Sequence, residues 1–118
     1  MSSARIARYR SGLRAERLAE FYLIAKAYLP ITRRYKTPYG EIDLIVRRGK
    51  TLVFVEVKAR KTFEEGAESI HARTQMRIRN AARAFLSTHP EYLEHQMRFD
   101  AIIIAWYRWP RHITHAFT

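Results

Sequence analysis

The run Gly40-Glu41-Ile42-Asp43-Leu44-Ile45-Val46-Arg47-Arg48-Gly49-Lys50-Thr51-Leu52-Val53-Phe54-Val55-Glu56-Val57-Lys58 decides the fold. Its two apolar stretches, 42–46 and 52–57, are rich in branched residues and flank Arg48-Gly49-Lys50, which reads as a β-hairpin. Side chains alternate along a strand, so Glu41 and Asp43 share a face of the first strand, and Glu56 and Lys58 a face of the second. A Gly49-Lys50 loop sets Asp43 opposite Glu56 and Glu41 opposite Lys58. An Arg48-Gly49 loop sets Glu41 opposite Glu56, with Asp43 one diagonal step away. Either register puts all four polar side chains on one face unless a bulge breaks the parity.

Three carboxylates on one patch of sheet repel each other. At about 4 Å and an effective dielectric near 20, one such pair costs on the order of 4 kcal/mol. Two readings offset that repulsion. A divalent cation with hard oxygen ligands and waters, Mg²⁺ or Mn²⁺, is one, with Lys58 placed to orient a nucleophile or neutralise charge on a phosphate. A salt-bridged edge strand, its glutamates paired to nearby arginines, is the other.

Outward from the hairpin, Leu18, Phe21, Tyr22, Ala25, Tyr28 and Leu29 recur at helical spacing, giving a helix over 13–29 ended by Pro30. Residues 31–35 read as a short strand and Thr37-Pro38-Tyr39-Gly40 as a turn. Residues 61–66 read as a flexible polar loop. A second helix spans 69–89 with Ile70, Ile78, Ala81, Ala82, Phe85 and Leu86 as its buried stripe. Residues 99–106 form a strand buried on both faces. The tail at 113–117 is too short to assign. Helix, two or three strands, helix and strand make an α/β fold: one mixed sheet with helices packed against it.

The 118-residue chain has room for a single domain, and 47% hydrophobic residues suffice for one core. It lacks cysteine, which excludes disulfides, thiolate metal sites and a cysteine nucleophile. Its longest uncharged run, 101–107, is far short of the roughly 20 residues that cross a bilayer, so no membrane span is expected. The opening segment, about 1–10, is expected to be mobile. With 22 Lys and Arg against 11 Asp and Glu, the net charge is +11, and 17 of the cations are arginines. Such a chain is expected to meet a polyanion, nucleic acid first. A ribosomal surface, an acidic protein and an anionic membrane are the alternatives.

Gly40-Glu41-Ile42-Asp43-Leu44-Ile45 with Phe54-Val55-Glu56-Val57-Lys58-Ala59-Arg60 resembles the YraN family of small bacterial proteins, itself similar to PD-(D/E)xK nucleases, which include archaeal Holliday junction resolvases. Gly12-Leu13-Arg14-Ala15-Glu16, Arg77-Ile78 with Ala81-Ala82, and Arg98-Phe99-Asp100 extend the likeness over most of the chain. The resemblance implies a restriction endonuclease-like α-β-β-β-α-β core over 1–118. Asp43 and Glu56 would be metal ligands, with the Val57 carbonyl a further one, and Lys58 the catalytic lysine. Glu16 would reach the site from the first helix, and Glu41 would tune Lys58 or hold an outer-shell water. The implied function is a Mg²⁺- or Mn²⁺-dependent endonuclease on branched or structured DNA, cytoplasmic, with RNA as another partner and a homodimer suiting paired cuts. The alternative is a non-catalytic nucleic-acid-binding protein on the same fold. Two departures stand out: Arg34 replaces the family's usual Asn after Arg33, and Thr74 stands where the second helix usually offers lysine.

Other features carry less. Arg5, Arg8, Arg10 and Arg14 form a basic cluster suited to phosphate, while Arg73, Arg77, Arg79 and Arg83 on the second helix read equally as a phosphate grip or a solvated face. His112 and His115 have no third ligand near them in sequence. Trp106, Tyr107 and Trp109 suit base stacking, although Trp106 at a strand end reads as core. Glu20 reads as a helix-surface charge.

Overall fold

A computed structural model describes the chain from Ser3 to Thr118. The hairpin is built from β2 (Gly40–Arg48) and β3 (Thr51–Ala59), with Arg48 opposite Thr51 and Leu44 opposite Val55. The loop is therefore Gly49-Lys50. Gly49 takes a φ of 60°, a left-handed value that glycine reaches without a Cβ clash. Outside β2 lies β1 (Leu29–Thr37), antiparallel; β4 (Gln96–Ile104) runs parallel to β3, and β5 (Arg111–Phe117) is antiparallel to β4. The sheet order is β1-β2-β3-β4-β5. A parallel pair needs a crossover, which α2 (Phe63–Glu68) and α3 (Ala72–Thr88) supply.

Helix α1 (Ser3–Ala25) covers one face, packing Ala15, Ala19 and Leu23 on Leu44, Val53, Val55 and Ile102. On the other face, α3 packs Ile78, Ala81, Ala82 and Phe85 on Ile45, Leu52 and Phe54. Both faces are covered, which is why β2, β3 and β4 are nearly continuous apolar runs. The architecture is α/β, a mixed sheet flanked by helices, in the expected α-β-β-β-α-β order with α2 inserted and β5 appended.

Several expectations need correction. The first helix is helical from Ser3; the expected mobile opening segment also takes in Met1 and Ser2, which lie outside the described residues. That helix turns small residues to the sheet, and Leu18, Phe21 and Leu29 of the expected stripe are exposed. The first strand is longer than 31–35 and tolerates Pro30 because it is an edge strand. The presumed loop at 61–66 holds most of α2, capped by the Thr62 hydroxyl, which accepts the Glu65 amide at 3.1 Å. A Cβ on Gly66 would lie 2.2 Å from Ile103 Cγ2, so this short helix sits flush on β4. The tail is a full strand, anchored by buried Phe117. Trp106 is not core; it is 42% exposed, in the turn after β4.

Strand alternation fails at one level. Ile42 and Ile45 both belong to the α3-side core, whereas Leu44 and Val46 belong to different faces from them, Leu44 and Val46 both packing on the α1 side. On β1 the partners of Leu44 and Ile42 are Arg33 and Tyr35, and Arg34 between them has φ of 51°. Both strands turn over here, through a residue in the left-handed region that asparagine tolerates better than most. That accounts for the Asn the resemblance leads one to expect where this chain has Arg34.

Candidate active site

The turnover opens the β2–β3 ladder where the acids sit. Paired register ends at Leu44 and Val55, and beyond it the Val57 amide donates to Asp43 Oδ2 at 2.8 Å. Asp43 thus reaches across the gap that its own strand has left. Its carboxyl is also hydrogen-bonded to that of Glu56, the residue opposite it by continuation of the register. Glu41, Asp43, Glu56 and Lys58 line one pocket of about 310 Å³, with Thr74 and Arg77 of α3 on its other wall. The four expected side chains therefore converge even though the parity that predicted it is broken.

Burial pushes the Glu56 carboxyl up to about 9, reinforced by the hydrogen bond and charge of Asp43 and opposed by Lys58. Near neutral pH Glu56 accordingly keeps its proton. Carboxyl oxygens facing one pocket are hard donors, and that chemistry fits a divalent ion. Among the described residues no three of His, Cys, Asp and Glu gather as a ready-made cage. Asp43 and Glu56 would hold the ion with water or substrate oxygens completing its shell, the habit of Mg²⁺. Val57 lines the same pocket.

Glu16 is half-buried on α1 and lines a neighbouring cavity with Glu20, Arg33 and Arg34, rather than the carboxylate pocket itself. Its carboxyl is raised by burial and by the Asp43 charge, against Arg34, whose Nε lies 3.7 Å away. It is thus electrically coupled to Asp43 without sharing its pocket. Glu20, expected on the surface, is buried and takes a two-pronged bond from Arg33 at 2.5 and 2.7 Å. On α3, Thr74 does face the pocket, and Arg77, one turn on, brings the cation that Thr74 lacks. Gln75 instead donates to the Ile70 carbonyl.

A second polar cluster escaped the sequence reading. Asp100 is fully buried, accepting Arg98 Nε and Nη2 at 2.8 Å each, His112 Nε2 at 2.7 Å and the His115 amide at 3.1 Å. Burial would raise its carboxyl, but the bonds from His112 and Arg98 outweigh that and hold it below the ordinary value. Lys26 Nζ lies 2.8 Å from His112 Nδ1. An ammonium only donates, so Nδ1 accepts and Nε2 carries the proton given to Asp100. This network pins β5 to β4 on the α1 side of the sheet, away from Lys58. The only faint sequence signal was an aspartate inside an apolar strand.

The family model described as Uncharacterised protein family UPF0102 matches residues 15–104. The chain belongs to the UPF0102 family. A UPF0102 protein of Nitrobacter winogradskyi is 50% identical over 113 residues, 96% of each chain. One from Methylorubrum extorquens is 51% identical over 90% of this chain and 83% of its own. Another, from Bradyrhizobium diazoefficiens, is 46% identical over 98% and 87%. The matched span of the UPF0102 model contains every one of the expected site residues, Glu16, Glu41, Asp43, Glu56, Val57 and Lys58. No helix among the described residues is long and apolar enough to cross a membrane.

Proposed function

We propose that this UPF0102 protein is a metal-dependent phosphodiesterase that hydrolyses DNA, branched or otherwise structured. The observation that carries the reading is the half-buried Asp43 and Glu56 carboxyls facing one pocket with Lys58 in a chain of net charge +11. A protein that merely bound phosphate would gain nothing from acids facing it. When bound, Mg²⁺ or Mn²⁺ supplies Lewis-acid polarisation of the phosphate and a more acidic water. Asp43 and Glu56 would hold that ion. Lys58 orients the attacking water or neutralises charge building on the phosphate oxygens. Arg77 meets the phosphate from the opposite wall, while Glu41 and Glu16 set the field around Asp43. Exposed Arg5, Arg10 and Arg14 on α1 supply sequence-independent phosphate contact; the side chain of Arg8 lies outside the described residues.

The test is cleavage of plasmid, linear, flap and four-way-junction DNA with Mg²⁺ or Mn²⁺. Wild type is run beside Asp43→Asn and Lys58→Ala, purified identically. Cleavage by wild type that both substitutions abolish supports the reading. No cleavage by wild type, with DNA binding intact, overturns it in favour of a non-catalytic DNA-binding protein.

A further inference from the structure

The turn between β4 and β5 carries Trp106-Tyr107-Arg108-Trp109, and its aromatic rings point outward. Trp106 is 42% exposed, Trp109 86% and Tyr107 fully so. Rings that open to water contribute little to the core, and three within four residues is costly surface unless something covers them. Tyr107 is also held at φ of 72°, a backbone state that bulky residues rarely adopt and that marks sites shaped for a purpose. The base of the turn is firm: the Arg108 amide bonds the Ala105 carbonyl at 3.1 Å, and His112 is locked to Asp100.

Position gives the turn its meaning. Because β3 and β4 are parallel, with Ala59 opposite Ile104, both strands end at the same edge of the sheet. There the Arg60 amide donates to the Ile104 carbonyl at 3.0 Å. Arg60 lines the carboxylate pocket, and it also lines a second surface cavity of about 630 Å³ together with Lys61 and Trp106. A separate cavity, of about 590 Å³, is lined by Trp109 and by Arg111, whose guanidinium lies 4.2 Å over the Phe63 ring. Cations and aromatic faces thus lie together around this turn, and Arg60 joins its Trp106 side to the pocket of Asp43 and Glu56. That combination suits a strand with a phosphate on one side of each nucleotide and a flat base on the other.

We infer that Trp106, Tyr107 and Trp109 form a stacking platform for unpaired bases of DNA, gripped by Arg60, Lys61 and Arg111, beside the carboxylate pocket. The placement of the platform relative to the scissile phosphate rests on the hydrolytic reading above; the stacking does not. An anionic membrane would also attract exposed tryptophans next to cations. The shared Arg60 wall favours DNA, since a bilayer has no reason to run into a carboxylate pocket. A duplex hides its base faces, so the platform selects single-stranded segments, such as those at flaps and junctions.

The chain has two tryptophans, and both are in this turn, so intrinsic fluorescence reports on the platform without a label. The experiment titrates the intact protein with oligo(dT), with an abasic oligomer of the same length and with anionic phosphatidylserine vesicles. Saturable quenching by oligo(dT), weak or absent with the abasic chain, is expected. Trp109→Ala is expected to weaken oligo(dT) binding on the order of tenfold and blunt-duplex binding by little, with Trp109→Phe retaining most of the affinity. Trp109 is exposed, so the variants' melting temperatures are expected to match wild type. Equal quenching by the abasic oligomer, or unchanged oligo(dT) affinity in Trp109→Ala, overturns the platform. A blue shift on vesicles without quenching by oligo(dT) overturns it in favour of a membrane face. Asp43→Asn separates the two proposals: it is expected to abolish cleavage and leave quenching intact. Quenching without wild-type cleavage sinks the hydrolase alone; cleavage without quenching sinks the platform alone.

Discussion

Replacing Glu56 by glutamine is expected to stabilise the metal-free protein at pH 8 and to leave it unchanged near pH 4.5. The folded carboxyl titrates at about 9 and the unfolded one near 4.5. Between those values the folded chain holds a proton that the unfolded chain has released. Stability therefore falls as pH rises through the window, the reverse of a salt-bridged carboxylate. Below about pH 4.5 both states are protonated and the residue contributes no pH dependence. By pH 8 the accumulated cost is on the order of a few kcal/mol. Glutamine keeps the shape, carries no proton to lose and donates its amide to Asp43 in place of the carboxyl proton. Each kcal/mol moves the melting temperature of a domain this size by about 3–6 °C, so the gain is measurable in a thermal scan. Scans in chelator at pH 4.5 and 8, then with millimolar Mg²⁺ at pH 8, make the test. Wild type is expected to gain from the ion by mass action, about 2.7 kcal/mol at a hundredfold excess over Kd, and E56Q far less. Equal melting at both pH values, or a less stable variant at pH 8, refutes the reasoning from the retained proton.

Gly40 and Gly12 respond differently to alanine. Gly40→Ala would put a Cβ 2.3 Å from the Arg77 carbonyl oxygen, pushing α3 off β2; a loss of about 1–3 kcal/mol and a distorted pocket are expected by urea unfolding and DNA cleavage. Gly12→Ala meets nothing within 4 Å inside α1 and is expected to gain roughly 0.5–1 kcal/mol by the same unfolding measurement. Asp100→Asn strands Arg98 and His112 in a buried site, with an expected loss of about 3–5 kcal/mol. Because the Asp100 carboxyl is depressed, its contribution is present above the unfolded value of 3.8 and lost as pH falls through the folded one; the acid limb of stability is expected to flatten in the variant.

The hairpin was legible because two branched-residue runs around Gly49 admit few other structures, and α3 because Ile78, Ala81, Ala82 and Phe85 repeat with the helical period. What escaped was decided by tertiary contact. Residues 63–68 become α2 only because Thr62 caps them and Gly66 fits against Ile103. Residues 111–117 become β5 only because Asp100 and β4 await them. On α1, apolarity pointed to Leu18 and Phe21, but the sheet lies close enough that Ala15 and Ala19 face it. The convergence of Glu41, Asp43, Glu56 and Lys58 was readable from register. Its route, through a turnover of both strands at Arg34 and Asp43, was not, since a left-handed arginine leaves no mark in composition or period.

The bond from the Val57 amide to Asp43 gives one side chain two employments. Besides facing the pocket, Asp43 satisfies a backbone donor that the β2–β3 ladder abandons, and alanine there would orphan it. On the proposed hydrolase reading, a lineage that lost the activity would still be under pressure to keep an acceptor at this position for folding alone. Among the relatives, therefore, an aspartate matching Asp43 is a poor indicator of living chemistry. On the same reading Glu56, whose raised carboxyl costs stability as pH rises, is the better one: it is the residue that drift would remove first.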